Sequence, residues 1–97
     1  VKIARNYHDT WLESERWALS NRRMSWGKRI ATARIAAALS QAELGDLLHA
    51  SQQTVAAWET EVNEPRLATF EAIAKVTGTA PEWLAFGVGR GPKAREA

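Results

Sequence analysis

The sequence contains no cysteine, which excludes a disulfide framework, a thiolate zinc site and a thiol nucleophile. Any fold must then be held by packing alone, which fits a reducing compartment. Long apolar runs are missing too. The longest uninterrupted stretches are about five residues, such as Ile35 to Leu39, against the ~20 that a membrane-spanning helix needs. Residues 1–26 carry charges throughout and lack the apolar core of a signal peptide. A cytoplasmic protein with no membrane partner is expected. The two histidines, His8 and His49, have no second ligand at metal spacing. There is also no Ser/His/Asp set, glycine-rich phosphate loop or convergent carboxylate pair. The expectation is a protein that is not an enzyme and that carries no cofactor and no metal.

What is present suits one small domain. The chain has 97 residues, and its hydrophobic fraction of 45% is enough for a single modest core. The net charge of +2 says little, but its distribution is uneven. Five basic residues and no acidic one fall between Arg22 and Arg34: Arg22, Arg23, Lys28, Arg29 and Arg34. Six acidic residues and one basic residue, Arg66, fall between Gln41 and Glu71. The basic run reads equally well as a solvated helix face and as an arm that grips phosphates.

Apolar spacing predicts helices throughout, with no strand alternation. Trp26 to Ala37 reads as a helix with Ile30, Ala33 and Arg34 on one side. Ser40 is an N-cap whose partner Glu43 completes a capping box. Leu44, Leu47 and Leu48 then mark one face of about two turns. Ser51 caps the next helix, where Val55 and Trp58 share a buried stripe. A polar stretch ends at Pro65. Leu67, Phe70, Ile73 and Ala74 repeat the helical spacing up to Gly78, a C-terminal cap. Thr79 is expected to cap a last short helix, with Pro81 in its first turn, Trp83 and Leu84 inward, and Gly87 at its end. The fold class is all-α, with five helices in a domain over residues 24–88. A flexible tail, 89–97, follows. Residues 1–23 form an extension in which Trp11, Leu12, Ala18 and Leu19 suggest an additional N-terminal helix from about Thr10 to Asn21. The only methionine, Met24, directly precedes the domain, so these residues also read as sequence upstream of a start there.

The stretch from Ser40 to Glu59 has a grammar of its own. Leu44 and Leu48 on one helix and Val55 and Trp58 on the next can share one core. Gly45 lies where the second helix would cross the first. Three residues, His49-Ala50-Ser51, join the two, which is the turn length of a helix-turn-helix. The residues Leu39-Ser40-Gln41-Ala42-Glu43-Leu44, Ser51-Gln52-Gln53-Thr54-Val55 and Trp58-Glu59 resemble the phage repressor and Cro family of lambda repressor-like, XRE-type helix-turn-helix proteins. Pro65, Ile73-Ala74 and Pro81-Glu82-Trp83-Leu84 before Gly87 extend the resemblance over about Trp26 to Gly87.

That resemblance implies a five-helix domain that binds double-stranded operator DNA as a homodimer. Gln52, Gln53 and Ala57 occupy its base-reading positions. Glutamine suits the task, because its amide pairs one donor and one acceptor against adenine N6 and N7. Ser40, Gln41, Ser51, Thr54, Thr60, Asn63 and Arg66 match phosphate contacts. Arg34 joins them at the DNA backbone, oriented by a buried ion pair with Glu59. The family often has glycine where this chain has Ala38, His49 and Glu61. A histidine tolerates the left-handed conformation, whereas Ala38 and Glu61 imply altered geometry at two loops. Glu61 and Glu64 are expected to stand near phosphates and repel them. The apolar end of the first helix, Ile35-Ala36-Ala37, together with Trp11, Leu12 and Leu19, suggests that the extension packs there or on a partner protein. The function expected is a dimeric transcriptional repressor from a bacterium or phage. An antitoxin that grips a toxin, or a helix-turn-helix used only for protein interaction, are the alternatives.

Overall fold

The computed structural model describes residues 24–92. They form five helices: α1 (Trp26–Ala36), α2 (Gln41–Leu48), α3 (Gln52–Glu59), α4 (Leu67–Thr77) and α5 (Pro81–Phe86). The all-α expectation holds, with no strand among the described residues. The additional helix expected near Thr10 to Asn21 lies outside them, as does most of the expected tail.

Every helix contributes to one core. Ile30 and Ala33 come from α1, Leu44 from α2, Val55 and Trp58 from α3, Phe70, Ile73 and Ala74 from α4, and Trp83 and Leu84 from α5. Trp26 meets Phe70 edge-on, with ring centroids 6.1 Å apart, a favoured aromatic geometry. Two residues of the expected stripes are not buried. Leu47 is 53% exposed and Leu67 is 65% exposed. Each has the right spacing for its helix, but among the described residues no other element lies over that part of the surface. Ile35 is 64% exposed as well, so the apolar end of α1 is open among the described residues. The extension expected to cover it lies outside them.

The helix ends follow a shared rule. Ser25, Ser40 and Ser51 cap α1, α2 and α3, each accepting from the amide three residues on. The last helix differs from expectation: its N-cap is Ala80, not Thr79, because Pro81 is already its first residue. The Thr79 hydroxyl instead meets that of Thr77 at 3.0 Å.

At their C-termini, α1, α2 and α3 close with the same pair of reversed hydrogen bonds, the Schellman arrangement. After α1, Ala38 N–H donates to Ile35 O at 2.9 Å and Leu39 N–H to Arg34 O at 3.1 Å. After α2, His49 N–H donates to Asp46 O and Ala50 N–H to Gly45 O. After α3, Glu61 N–H donates to Trp58 O and Val62 N–H to Ala57 O. The pivot residue of each turn is left-handed: Ala38 at φ 60°, His49 at 55° and Glu61 at 64°. The altered loop geometry expected at Ala38 and Glu61 is therefore absent. The hydrogen-bonded turn dictates the backbone, and the side chains accept the strain, about 1–2 kcal/mol for a residue with a Cβ.

Candidate nucleic-acid interface

The α2–turn–α3 unit is set by one close approach. A Cβ built on Gly45 would lie 2.5 Å from Ala50 O and 3.3 Å from Ser51. The backbone that crosses Gly45 is thus the turn, rather than the body of the second helix. Only glycine lets the turn lie flat against α2, and this fixes where α3 begins. The start of α2 is held by the expected capping box. Glu43 N–H donates to Ser40 Oγ at 3.0 Å, and Ser40 N–H donates to Glu43 Oε1 at 2.8 Å. The amides of Gln41 and Ala42 have no partner among the described residues. They form the positive end of the helix.

A chain of polar contacts joins α1, α2 and α3. Arg34 Nε donates to Glu59 Oε2 at 2.6 Å and Arg34 Nη2 to Glu59 Oε1 at 3.2 Å. The pair is two-pronged, with side chains 15% and 8% exposed, as the resemblance implied. Arg34 Nη1 also donates to Leu39 O at 2.9 Å. Three of the five N–H groups of this guanidinium are engaged inside the domain. Gln41 Nε2 donates to Glu59 Oε1 at 3.0 Å, and Gln52 Nε2 reaches Gln41 Oε1 at 3.5 Å. Sequence reasoning had not joined Gln41 to Gln52. Eleven positions separate them, and only the crossing at Gly45 brings the two helix starts together.

Gln52 and Gln53 are exposed at the first two positions of α3, and Ala57 is half-buried one turn beyond Gln53. The residues matched to phosphate contacts are distributed around this helix. Ser51 Oγ accepts from Thr54 N–H at 3.1 Å and lies 2.9 Å from the Thr54 hydroxyl. Thr60 donates its hydroxyl proton to Ala56 O at 2.9 Å, so a phosphate contact there requires the proton to turn outward. Asn63 and Arg66 are exposed on the connection to α4, with Arg66 at its N-cap.

Two charged groups are placed where the sequence did not suggest. Arg29, from the basic run, is 5% exposed, neither on a solvated face nor on an arm. Its Nε donates to Leu84 O at 2.9 Å, its Nη2 to Ala85 O at 3.1 Å and its Nη1 to Met24 O. It caps the end of α5, where a cation suits the exposed carbonyls. Burial pushes its pKa below the ordinary value, and the Glu61 carboxylate partly opposes that shift. Glu61 in turn accepts from Gly27 N–H at 3.1 Å, across 34 positions. Its carboxylate is held against the start of α1. Glu61 and Glu64 are both exposed. No sequence signal marks Gly27 and Glu61 as a pair. Among the described residues, no group of His, Asp or Glu is clustered to hold a metal, and no helix is long and apolar enough to cross a membrane.

A family model described as a helix-turn-helix matches residues 30–84. No curated protein matches the chain. Among solved structures, the P22 c2 repressor protein in complex with synthetic operator 9T is similar, with a TM-score of 0.62 and 28% sequence identity. That likeness covers 66% of this chain and 97% of the repressor chain.

Proposed function

The chain belongs to the helix-turn-helix family, and from that membership we propose that it is a sequence-specific double-stranded DNA-binding transcriptional regulator, a repressor acting as a homodimer on an operator. The reading is carried by one observation. The start of α3 presents Gln52 and Gln53 to solvent on a frame that matches 97% of a repressor chain solved on its operator. Gln53 and Gln52 read base edges by pairing an amide with adenine, and Ala57 touches a thymine methyl at most. Ser40, Gln41, Ser51, Thr54, Thr60, Asn63 and Arg66 set register on the phosphates, with the positive start of α2 facing one of them. Arg34 holds the frame through Glu59 and turns its remaining N–H groups to the backbone.

A short reading surface favours dimerisation. Two copies on a pseudo-palindromic site place their recognition helices about one DNA turn apart, roughly 34–36 Å. Residues 24–88 are the binding domain of this proposal, and residues 1–23 are available for a protein partner. The arrangement of acidic groups also bears on the interaction-only alternative. Glu59 is neutralised by Arg34, which lightens the repulsion that a phosphate backbone would feel.

The test is fluorescence anisotropy with a duplex selected from a random pool and with a scrambled duplex. Gln52→Ala together with Gln53→Ala is expected to lower affinity for the selected duplex by about 1–3 kcal/mol per lost bidentate contact. Weak, salt-sensitive affinity for the scrambled duplex is expected to persist. An equal loss on both duplexes would contradict the base-reading role.

A further inference from the structure

Position 61 is the pivot of the turn that ends α3. Its φ of 64° is one that glycine adopts without steric penalty and that a residue with a Cβ adopts only where its surroundings hold it there. The hydrogen-bonded turn holds it there, and the glutamate side chain adds a tie of its own. Its carboxylate accepts from the amide of Gly27, the second residue of α1, 3.1 Å away. Ser25, the N-cap of that helix, accepts from the amide of Lys28, the residue after Gly27. Glu61 therefore supplies from a distant loop an acceptor that the local cap leaves to others, at the positive end of the helix.

The contact lies at a backbone crossing. A Cβ on Gly27 would fall 2.6 Å from Glu59 O, 2.7 Å from Glu61 Cγ and 2.9 Å from Glu61 Oε2. The start of α1 thus rests directly on the end of α3, at the residue whose side chain engages Arg34 and Gln41. Arg29 sits within the field of the same carboxylate while it clasps the end of α5. Helix α3 is braced toward its start by the Gln41 link and at its end by this tie.

We infer that Glu61 is a positioning residue for DNA binding, whose carboxylate ties the turn after α3 to the start of α1 and so fixes the angle of the helix that carries Gln52 and Gln53. The inference rests on the DNA-binding reading above. It runs against what the sequence position suggests. A carboxylate beside a phosphate backbone would repel it, and removing the charge would tighten binding. A carboxylate that braces the frame acts in the other direction.

The two are separated by three variants of the full chain, measured by anisotropy on a selected and a scrambled duplex. Glu61→Ala loses the acceptor and keeps the strain. It is expected to weaken binding to the selected duplex about tenfold, the size of effect that one part-buried hydrogen bond to a charged group can carry. Binding to the scrambled duplex is expected to change little, since no phosphate contact is lost. Glu61→Gln keeps an oxygen for Gly27 and is expected to recover most of the affinity. Glu61→Gly takes the turn without strain and guards against a folding defect; it is expected to show the same loss as Glu61→Ala. Faster hydrogen exchange of the Gly27 amide in the alanine variant reports the broken tie itself. Parent-like binding by the alanine and glycine variants, or tighter binding by all three, overturns the inference. Failure of the parent to bind any duplex is a distinct result, and it overturns the DNA-binding reading on which the inference rests.

Discussion

Replacing Ala38 by glycine is expected to stabilise the domain, although it removes a methyl group and adds no contact. Ala38 sits at φ 60° as the pivot of the turn after α1, with its side chain exposed. The left-handed conformation costs a residue with a Cβ about 1–2 kcal/mol, and glycine is free of that penalty. Glycine also gains more freedom in the unfolded chain, which offsets about 0.4–1 kcal/mol. The difference is a net stabilisation of about 0.5–1 kcal/mol, or a rise of roughly 2–8 °C in melting temperature for a domain of this size. Thermal melting by circular dichroism measures it, and a urea titration with a shifted midpoint and unchanged slope confirms that stability has changed without a change in the surface exposed on unfolding. An internal control lies in the preceding helix. Ala31→Gly, in the middle of α1, is expected to lose at least about 0.5–1 kcal/mol. An unchanged or lowered midpoint for Ala38→Gly would refute the reasoning that the hydrogen-bonded turn imposes its backbone on the residue.

Other perturbations probe the core, the polar frame and the caps. Leu44→Ala, at a fully buried position, is expected to cost about 2–5 kcal/mol in urea unfolding, whereas the exposed Leu47→Ala is expected to fall nearer the ±0.5 kcal/mol typical of surface changes. Glu59→Ala removes the partner of Arg34 and an acceptor of Gln41, and is expected to destabilise by about 1–3 kcal/mol while lowering DNA affinity. A parent-like Glu59→Ala in both assays would contradict the bracing role of the pair. Glu43 has a lowered pKa, chiefly because its carboxylate accepts from the Ser40 amide. A depressed carboxylate adds stability above its unfolded pKa and loses it as pH falls through the folded pKa, so the start of α2 is expected to loosen on acidification. An NMR titration that places the Glu43 midpoint at or above the ordinary glutamate value would contradict this.

The parts of the molecule that the sequence revealed are those governed by neighbours a few residues apart. Ser40 with Glu43, Ser51 with Thr54, and the spacing of Val55 and Trp58 are local relations, and they identify the two motif helices and their turn. Periodicity also marked Leu47 and Leu67, but it reports only which side of a helix a residue occupies, not whether another element covers that side. Thr79 looked like a cap by its side chain, yet Pro81 fixes the helix start and moves the cap to Ala80. The largest surprises are contacts across the chain. Arg29 belongs to a basic run, and its burial follows from the carbonyls of Leu84 and Ala85, 55 and 56 positions away. Glu61 stands where the family favours glycine, and its value comes from Gly27, 34 positions before it. Neither relation leaves a trace in spacing, because the fold brings each pair together. The candidate reading surface and the Arg34–Glu59 pair were legible by resemblance; the Gln41–Gln52 and Gly27–Glu61 contacts required the structure.

The central claim is that Gln52 and Gln53, held at the start of α3, select a DNA sequence. It is tested most directly by selecting bound duplexes from a random pool with the parent and with the Gln52→Ala, Gln53→Ala double variant. The expected result for the parent is enrichment of one sequence made of two half-sites in pseudo-palindromic relation, about 10–10.5 base pairs centre to centre. The double variant is expected to lose that enrichment. A folded parent that enriches no sequence, or a double variant that enriches the same one, would contradict the claim.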